Sequence, residues 1–340
     1  MEEVTDVVFR EMFAKYSGGV KTITHNNNDN TTTATSPALS GILPSPGEEE
    51  TKKGNAFVMF TEFINVDGIL HPTGFERLKI DLEYTENQRP IVAQIWGTDP
   101  EKFYEASKLM VNLGFDGIDI NMGCPQDKEI GIGACAALIR NPVLASEIIE
   151  ATIKGAGSLP VSVKTRTGYS KPETEIWIGH LLKHNLAAIT LHARTKQEKS
   201  KVPASWVEVK KAVNVRNTLQ SKTLIIGNGD VKSRTEGLSR MAETGCDGVM
   251  IARGAFGFPW MFREDNYQPS VKERLTVALE HAKLFQEKLG GQKSFFIMRK
   301  HFKAYASGFD GASELRAKLL ETKNTTEVES IVNDFLQSLQ

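Results

Sequence analysis

Two periods of hydrophobicity alternate along most of this chain. Short apolar runs rich in β-formers recur at 57–64, 91–96, 117–120, 160–165, 187–192, 223–227 and 248–252. Between them lie segments of helical period, among them 100–113, 142–153, 173–182 and 233–244. Strands that are apolar on both faces and separated by helices pack as parallel βα units. Units repeated this often in this length predict a (β/α)8 TIM barrel. Only seven strands can be counted. The first helical pattern, 4–16, sets Val7, Val8, Phe9, Met12 and Phe13 at helical spacing, and only Met1, Glu2 and Glu3 precede it. The expectation is therefore that the first strand is truncated from this chain, or that a nonstandard segment closes the barrel.

Two stretches depart from this alternation. Residues 21–55 are rich in Asn, Thr, Ser and Pro and poor in large apolar groups, too few to offset the chain entropy of folding, which predicts a disordered insertion. From 271 onward strands cease, and helical patterns follow at 271–287, 294–305, 312–321 and 328–339, broken at Gly290-Gly291 and Gly308. The chain thus divides into a barrel domain over 1–265, interrupted at 21–55, and an all-α domain over 271–340.

Composition narrows the class. With 340 residues, 40% hydrophobic and 24% charged, the chain can bury a sizeable core as a soluble protein. It has no apolar run of 18 residues, and its first residues lack the basic start and apolar stretch of a secretory signal, which argues against membrane-spanning and secreted classes. Three cysteines without CxxC spacing predict neither a disulfide framework nor a zinc cage and fit a reducing cytoplasm. A formal net charge of −1 excludes a globally basic nucleic-acid glove and leaves a local basic face open.

In a βα barrel the chemistry sits at the C-terminal ends of the strands. Those ends carry Gln94, then Asn121 and Cys124, Lys164 and Arg166, His192 and Arg194, Asn228-Gly229-Asp230, and Ala252-Arg253-Gly254. Loops after the last two strands of such barrels hold phosphate on backbone N–H groups. Glycines at 229 and 254 with one guanidinium at 253 suit that use, although the same residues could form an ordinary turn and helix start. Cys124 stands in Asp119-Ile-Asn-Met-Gly-Cys-Pro125, on a sharp turn that aims a thiol at the mouth. Cys135 and Cys246 read as buried structural residues. Gly131-Ile-Gly-Ala-Cys-Ala136 matches a dinucleotide fingerprint only formally, since it follows a loop and not a strand. His180 and His184 lack the partners of a metal motif.

The stretches Gly117-Ile-Asp-Ile-Asn-Met-Gly-Cys-Pro125 through Gly133-Ala-Cys-Ala-Ala-Leu-Ile-Arg-Asn-Pro142, Val161-Ser-Val-Lys-Thr-Arg-Thr-Gly168, Leu191-His-Ala-Arg-Thr-Lys196, Ile226-Gly-Asn-Gly-Asp230 and Val249-Met-Ile-Ala-Arg-Gly-Ala255 resemble, in order, the blocks of the tRNA-dihydrouridine synthases. The resemblance implies an FMN-containing barrel followed by a helical tRNA-binding domain. It implies reduction of the C5=C6 bond of a uridine in tRNA, with NADPH as reductant and Cys124 as the general acid at C5. Asn121 would hold the uracil edge. Gln94 and Lys164 would meet the flavin ring, and His192 would sit by the ring or the base. Arg166, Arg194 and Lys196 would meet the RNA. Asn228, Gly229, Asp230, Ala252 and Arg253 would hold the FMN phosphate. A thiol, ordinarily titrating at about 8.5, suits a proton donor near neutrality.

Local charge agrees with an RNA face. Residues 164–216 hold eleven Lys and Arg against four Glu and no Asp, and residues 293–323 hold seven against three acids. The chain departs from the family where Met1 stands at the position of the Met in an Ala-Pro-Met strand end. It departs again where Ser200, Val202 and Ser205 replace the usual Tyr, Gly and Asp. Two other readings compete: an FMN barrel acting on a free pyrimidine, and a flavin-free RNA-binding remnant.

Overall fold

The computed structural model describes residues 5–17 and 57–339. The described chain opens with helix α1 (Val7–Tyr16), where Asp6 caps the first turn by accepting from the Phe9 N–H at 2.8 Å. After β1 (Met59–Asn65), α2 (Val66–Leu70) and α3 (Pro72–Leu78) form a short helical pair that the sequence pattern did not announce. Glycines at 68 and 74 and Pro72 read as breakers, yet Pro72 occupies the first turn of α3, where its missing N–H costs nothing.

The βα rhythm then runs as the spacing predicts. It comprises β2 (Ile91–Trp96), α4 (Pro100–Asn112), β3 (Gly117–Met122), the short α5 (Asp127–Gly131), α6 (Pro142–Ala156), β4 (Val161–Arg166) and α7 (Thr174–Leu181). It continues with β5 (Ala188–His192), α8 (Trp206–Thr218), β6 (Leu224–Asn228), α9 (Arg234–Thr244) and β7 (Gly248–Met250). All neighbouring strands are parallel and stand in sequence order, β1 to β7. The last strand is shorter than its apolar run: beyond Met250 the backbone leaves the sheet, with Ala252 at ψ −95°, and turns into a 3-10 segment at Arg253–Ala255.

Seven strands are therefore present among the described residues, in the arrangement of a TIM-type barrel. Where an eighth would stand, β7 and β1 face each other without pairing among the described residues. The expected truncated first strand would fall on residues 1–4 or upstream, and the expected disordered insertion covers 21–55; both lie outside the described residues. Inside the sheet, Val58, Val92, Ala188 and Ile226 meet in one apolar layer, and a larger cluster packs the outer strand faces against α4, α6, α7 and α8.

Beyond the strands come α10 (Val271–Leu289), α11 (Met298–Tyr305), α12 (Ala312–Glu321) and α13 (Thr325–Ser338). A capping box between Ser270 and Glu273 starts α10. These helices have a core of their own, with Leu275, Phe285, Phe302 and Leu319 at its centre, and Val7 and Val8 of α1 complete it. Between the two layers, Lys293 reaches Glu62 of β1 and Asp81, each at 2.5 Å, with its ammonium largely withdrawn from solvent. Helix α1 and this ion cluster join the helical layer to the barrel.

Candidate active site at the strand ends

Period-two alternation on β3 puts Asp119 and Asn121 on the inward face, one residue pair apart, next to Gln94 of β2. Their side chains form a relay. Asp119 is fully buried and accepts from Ser162 Oγ at 2.6 Å and from Gln94 Nε2 at 2.7 Å. Gln94 Oε1 accepts from Asn121 Nδ2 at 3.1 Å. That fixes the amide of Asn121, whose Oδ1 accepts the backbone N–H groups of Gly123 at 3.0 Å and Cys124 at 2.9 Å. Burial pushes the Asp119 carboxyl up to about 6, against the pull of these hydrogen bonds and of Lys164.

The turn is gripped from its other side by Arg166. This guanidinium is 5% exposed and donates to the carbonyls of Gly123 at 2.7 Å, Thr195 at 2.9 Å and Lys199 at 3.0 Å. Through Nε and Nη1 Arg166 ties the Cys124 turn to the loop after β5, and its side chain also lines the cavity described next. Cys124 itself is half-buried and lines a cavity of about 280 Å³ together with Gln94, Asn121, Lys164 and His192. The far wall is aromatic, from Phe9 and Phe13 of α1 and from Phe57, Phe60 and Phe262. The cavity runs along the unpaired seam, with Met59 on one side and Ile251 on the other.

Lys164 stands at the centre of this ring. Its Nζ donates to Asn228 Oδ1 at 3.4 Å, a long contact for an ammonium, and burial beside Arg166 lowers it to about 8. His192, one strand further, is lowered to about 2 by burial and by Lys164, Arg166 and Arg194, so the imidazole is neutral at ordinary pH.

A second cleft opens where β6 and β7 end and shares His192, Met250 and Ala252 with the first. Asn228 donates through Nδ2 to the Met250 carbonyl at 2.8 Å, binding the two strand ends together. Gly229 takes φ +138°, which side-chain-bearing residues avoid. Gly254 comes so close to the preceding loop that a Cβ there would lie 2.3 Å from the Val231 carbonyl oxygen. The two loops are therefore shaped by close backbone approach. Arg253 reaches out from them with its side chain 61% exposed and bonds Asp230 at 3.0 Å.

Asp230 is tied to Arg194, whose expected role needs correcting. The Asp230 carboxylate accepts from Arg253, from Arg194 and from the Ala204 N–H at 2.9 Å, so it aims two cations at this cleft while the loop backbone stays available. Arg194 is 4% exposed and also donates to the Val202 carbonyl at 2.6 Å and to His192 Nε2 at 3.1 Å. It braces the loop after β5 from within and does not face RNA. Lys196 stays near the surface, over the Tyr169 ring and 3.9 Å from Asp127.

The basic stretch shrinks accordingly. Arg166 and Arg194 are internal, Lys164 lies in the cavity, Arg216 pairs with Asp247, and Lys211 pairs with Glu208; Lys171, Lys183, Lys201 and Lys210 are exposed. Elsewhere, His180 and His184 share the hydroxyl of Ser146, each at 3.0 Å, and no group of metal-ligating side chains gathers among the described residues. No single described helix is long and apolar enough to cross a membrane.

Asp119 and Ser162 are the site residues that motif reading missed. The available signal was their inward register beside Gln94 and Asn121.

The model of one protein family, dihydrouridine synthase, matches residues 1–340. A probable tRNA-dihydrouridine synthase 2 of Bacillus subtilis is 40% identical over 287 residues, covering 84% of this chain and 88% of that protein. A probable tRNA-dihydrouridine synthase of Staphylococcus aureus is 39% identical over 280 residues, covering 82% and 85%. Among solved structures, morphinone reductase in complex with tetrahydroNAD superposes with a TM-score of 0.45 at 12% identity, over 64% of this chain and 80% of that one. A match over the full length, with relatives near 40% identity over most of both chains, establishes that this chain belongs to the dihydrouridine synthase family of oxidoreductases.

Proposed function

We propose that this protein reduces the C5=C6 bond of a uridine in tRNA in the cytoplasm, with FMN as resident cofactor and NADPH as the source of electrons. The observation that carries the reading is the junction of two clefts: an apolar cavity holding Lys164 and Cys124 opens directly into a glycine-shaped cleft ending in the exposed Arg253. That outline fits a flat ring joined to a phosphate. Close approach at Gly254 leaves no room for a side chain, as a backbone cradle for an anion requires. Arg194 and Arg253 together outweigh the one charge of Asp230, so the cleft stays cationic.

FMN, when bound, supplies the hydride for C6. The protein's own task is then to position the base and deliver one proton. Cys124 holds that proton on a turn fixed by Asn121 and Arg166, so its sulfur meets C5 without searching. Asn121 and Gln94 arrive with their amides oriented by Asp119, ready to read an edge of the ring system. Lys164 brings positive charge to the place where negative charge grows during reduction. The neutral His192 adds a polar contact without adding charge. The uracil must leave its stack to enter, and the aromatic wall of Phe9, Phe60 and Phe262 keeps water from the reacting face. Exposed cations at Lys171 and Lys201, and at Lys300 and Lys303 on α11, suit a phosphate backbone.

The test is to incubate the protein with FMN, NADPH and unmodified tRNA, and in parallel with free uracil, and to map dihydrouridine. Product in tRNA and none from uracil supports the reading. Turnover of uracil alone would favour an enzyme of free pyrimidines, and binding of tRNA without flavin or product would favour an RNA-binding protein.

A further inference from the structure

We propose that Arg194 is a positioning residue that fixes His192 as the Nδ1–H tautomer, so that the ring meets the bound flavin only as a hydrogen-bond donor. Arg194 Nη1 stands 3.1 Å from His192 Nε2. A guanidinium has hydrogens and no lone pair to offer, so Nε2 is the acceptor of this bond. The Nε2–H tautomer and the imidazolium would both set N–H against N–H there. A neutral ring that accepts at Nε2 carries its proton on Nδ1. The guanidinium is held in place, because its Nε donates to the Val202 carbonyl at 2.6 Å and its Nη2 to Asp230. The backbone keeps the two residues together as well: the Arg194 N–H donates to the His192 carbonyl at 2.7 Å.

The remaining nitrogen is the one left for a ligand. His192 is half-buried and lines both the ring cavity and the cleft where β6 and β7 end. Its Nε2 is taken by Arg194, and its Cδ2 lies toward Gly229, 3.5 Å from where a Cβ on that residue would stand. Nδ1 is the opposite corner of the ring and has no hydrogen-bond partner among the described residues. Burial, with Lys164, Arg166, Arg194 and Arg253 around the ring, opposes a second proton on it. The consequence is selectivity at the junction of the two clefts. There the ring can donate one hydrogen bond to a lone pair on oxygen or nitrogen, and it cannot accept one from a donor. The tautomer follows from this chain's own contacts; only the identity of the acceptor, an atom of FMN, rests on the function proposed above.

The whole protein, isotope-labelled at its imidazole nitrogens, reads the tautomer directly. Long-range proton–nitrogen correlation spectra distinguish the Nδ1–H ring, the Nε2–H ring and the imidazolium, and His192→Gln assigns the His192 pattern among the seven histidines. Wild type near neutral pH should show the Nδ1–H pattern at His192 before and after FMN is added, and Arg194→Met should lose it. Thermal melting checks that this variant is folded, and the other measurements need no change at Arg194. FMN affinity, followed by flavin fluorescence, is the second readout. Asparagine places an amide N–H close to where Nδ1–H stands, and glutamine places one near Nε2. His192→Asn should therefore bind FMN nearly as well as wild type, whereas His192→Gln should weaken it about tenfold, the worth of one neutral hydrogen bond. An Nε2–H ring or an imidazolium at His192 in wild type, an Nδ1–H pattern that persists in a folded Arg194→Met, or equal FMN affinity in the two His192 variants overturns the proposal. The Nδ1–H pattern in a protein that binds no FMN would instead overturn the functional reading and leave the positioning by Arg194 standing.

Discussion

Around Cys124, the side chains of Gln94, Asp119, Asn121 and Arg166 spend their hydrogen bonds on one another and on nearby backbone, whereas across the mouth Arg253 extends into solvent with Asp230 beside it. The first region is rigid before any ligand arrives, and its geometry is an internal property of the fold. The second is shaped by backbone, at Gly229 and Gly254, and leaves its charge for a partner to complete. The contrast suits a site in which a reacting group must be held to within a fraction of an ångström while a phosphate anchor need only be bound. It also says where substitutions should reduce turnover and where they should reduce retention of the cofactor.

The largest effect is expected at Cys124→Ala, which removes the proton donor and leaves the anion cleft alone. Dihydrouridine formation should fall by roughly 10²–10⁴-fold with FMN content unchanged. Near-normal turnover, with Cys135→Ala inactive, would move the acid to the other thiol. Next comes Arg166→Met, which strips two buried carbonyls of their donor at about 1–3 kcal/mol each, and a third, part-buried one at less. The melting temperature and turnover should fall together. Retained stability with weakened tRNA binding would favour the substrate-binding role that the sequence suggests.

Lys164→Met should lower turnover by about tenfold or more even when FMN saturates the site, since its charge acts on the reacting ring. Arg253→Ala should weaken FMN by about tenfold, with activity restored by added cofactor. Identical rescue of both by FMN would erase the distinction between the two regions.

The remaining effect concerns pH and stability and leaves turnover aside. Asp119 is raised to about 6 in the folded protein, so its contribution to stability is fully present below about pH 4 and is lost as pH rises through 6, on the order of 3 kcal/mol in all. Asp6 and Asp81, also raised to about 6, share this trend. Asp119→Asn should therefore gain stability relative to wild type between pH 4 and 7, read as the difference in melting temperature. A difference independent of pH would show that Asp119 does not titrate in that window.

The legibility of the sequence divides along the same line. Strand ends could be read because apolar runs stop there, and that located Cys124, Lys164, His192 and Arg253 at one mouth. Direction and depth could not be read from type. Arg166 and Arg194 look like surface cations in a basic stretch, yet their guanidinium groups face inward to carbonyls that a loop conformation brings within reach. Asp230 reads as part of an anion loop, and its carboxylate lies between two arginines, with the backbone at φ +58°, so its side-chain partners are distant in sequence and could not be read from it. Asp119 was hidden as one polar residue in a strand, and only the register of β2 against β3 reveals it as the origin of the relay. The pair α2 and α3 was masked by its glycines and by Pro72, which starts a helix only because the residues after it continue one.

The division of the mouth is tested most directly by measuring bound FMN and single-turnover dihydrouridine formation side by side in Cys124→Ala and Arg253→Ala. Cys124→Ala should be fully yellow and nearly inactive, and Arg253→Ala flavin-poor with turnover that returns when FMN is added. Loss of flavin in Cys124→Ala, or an Arg253→Ala that keeps its flavin and still fails to turn over, would contradict it.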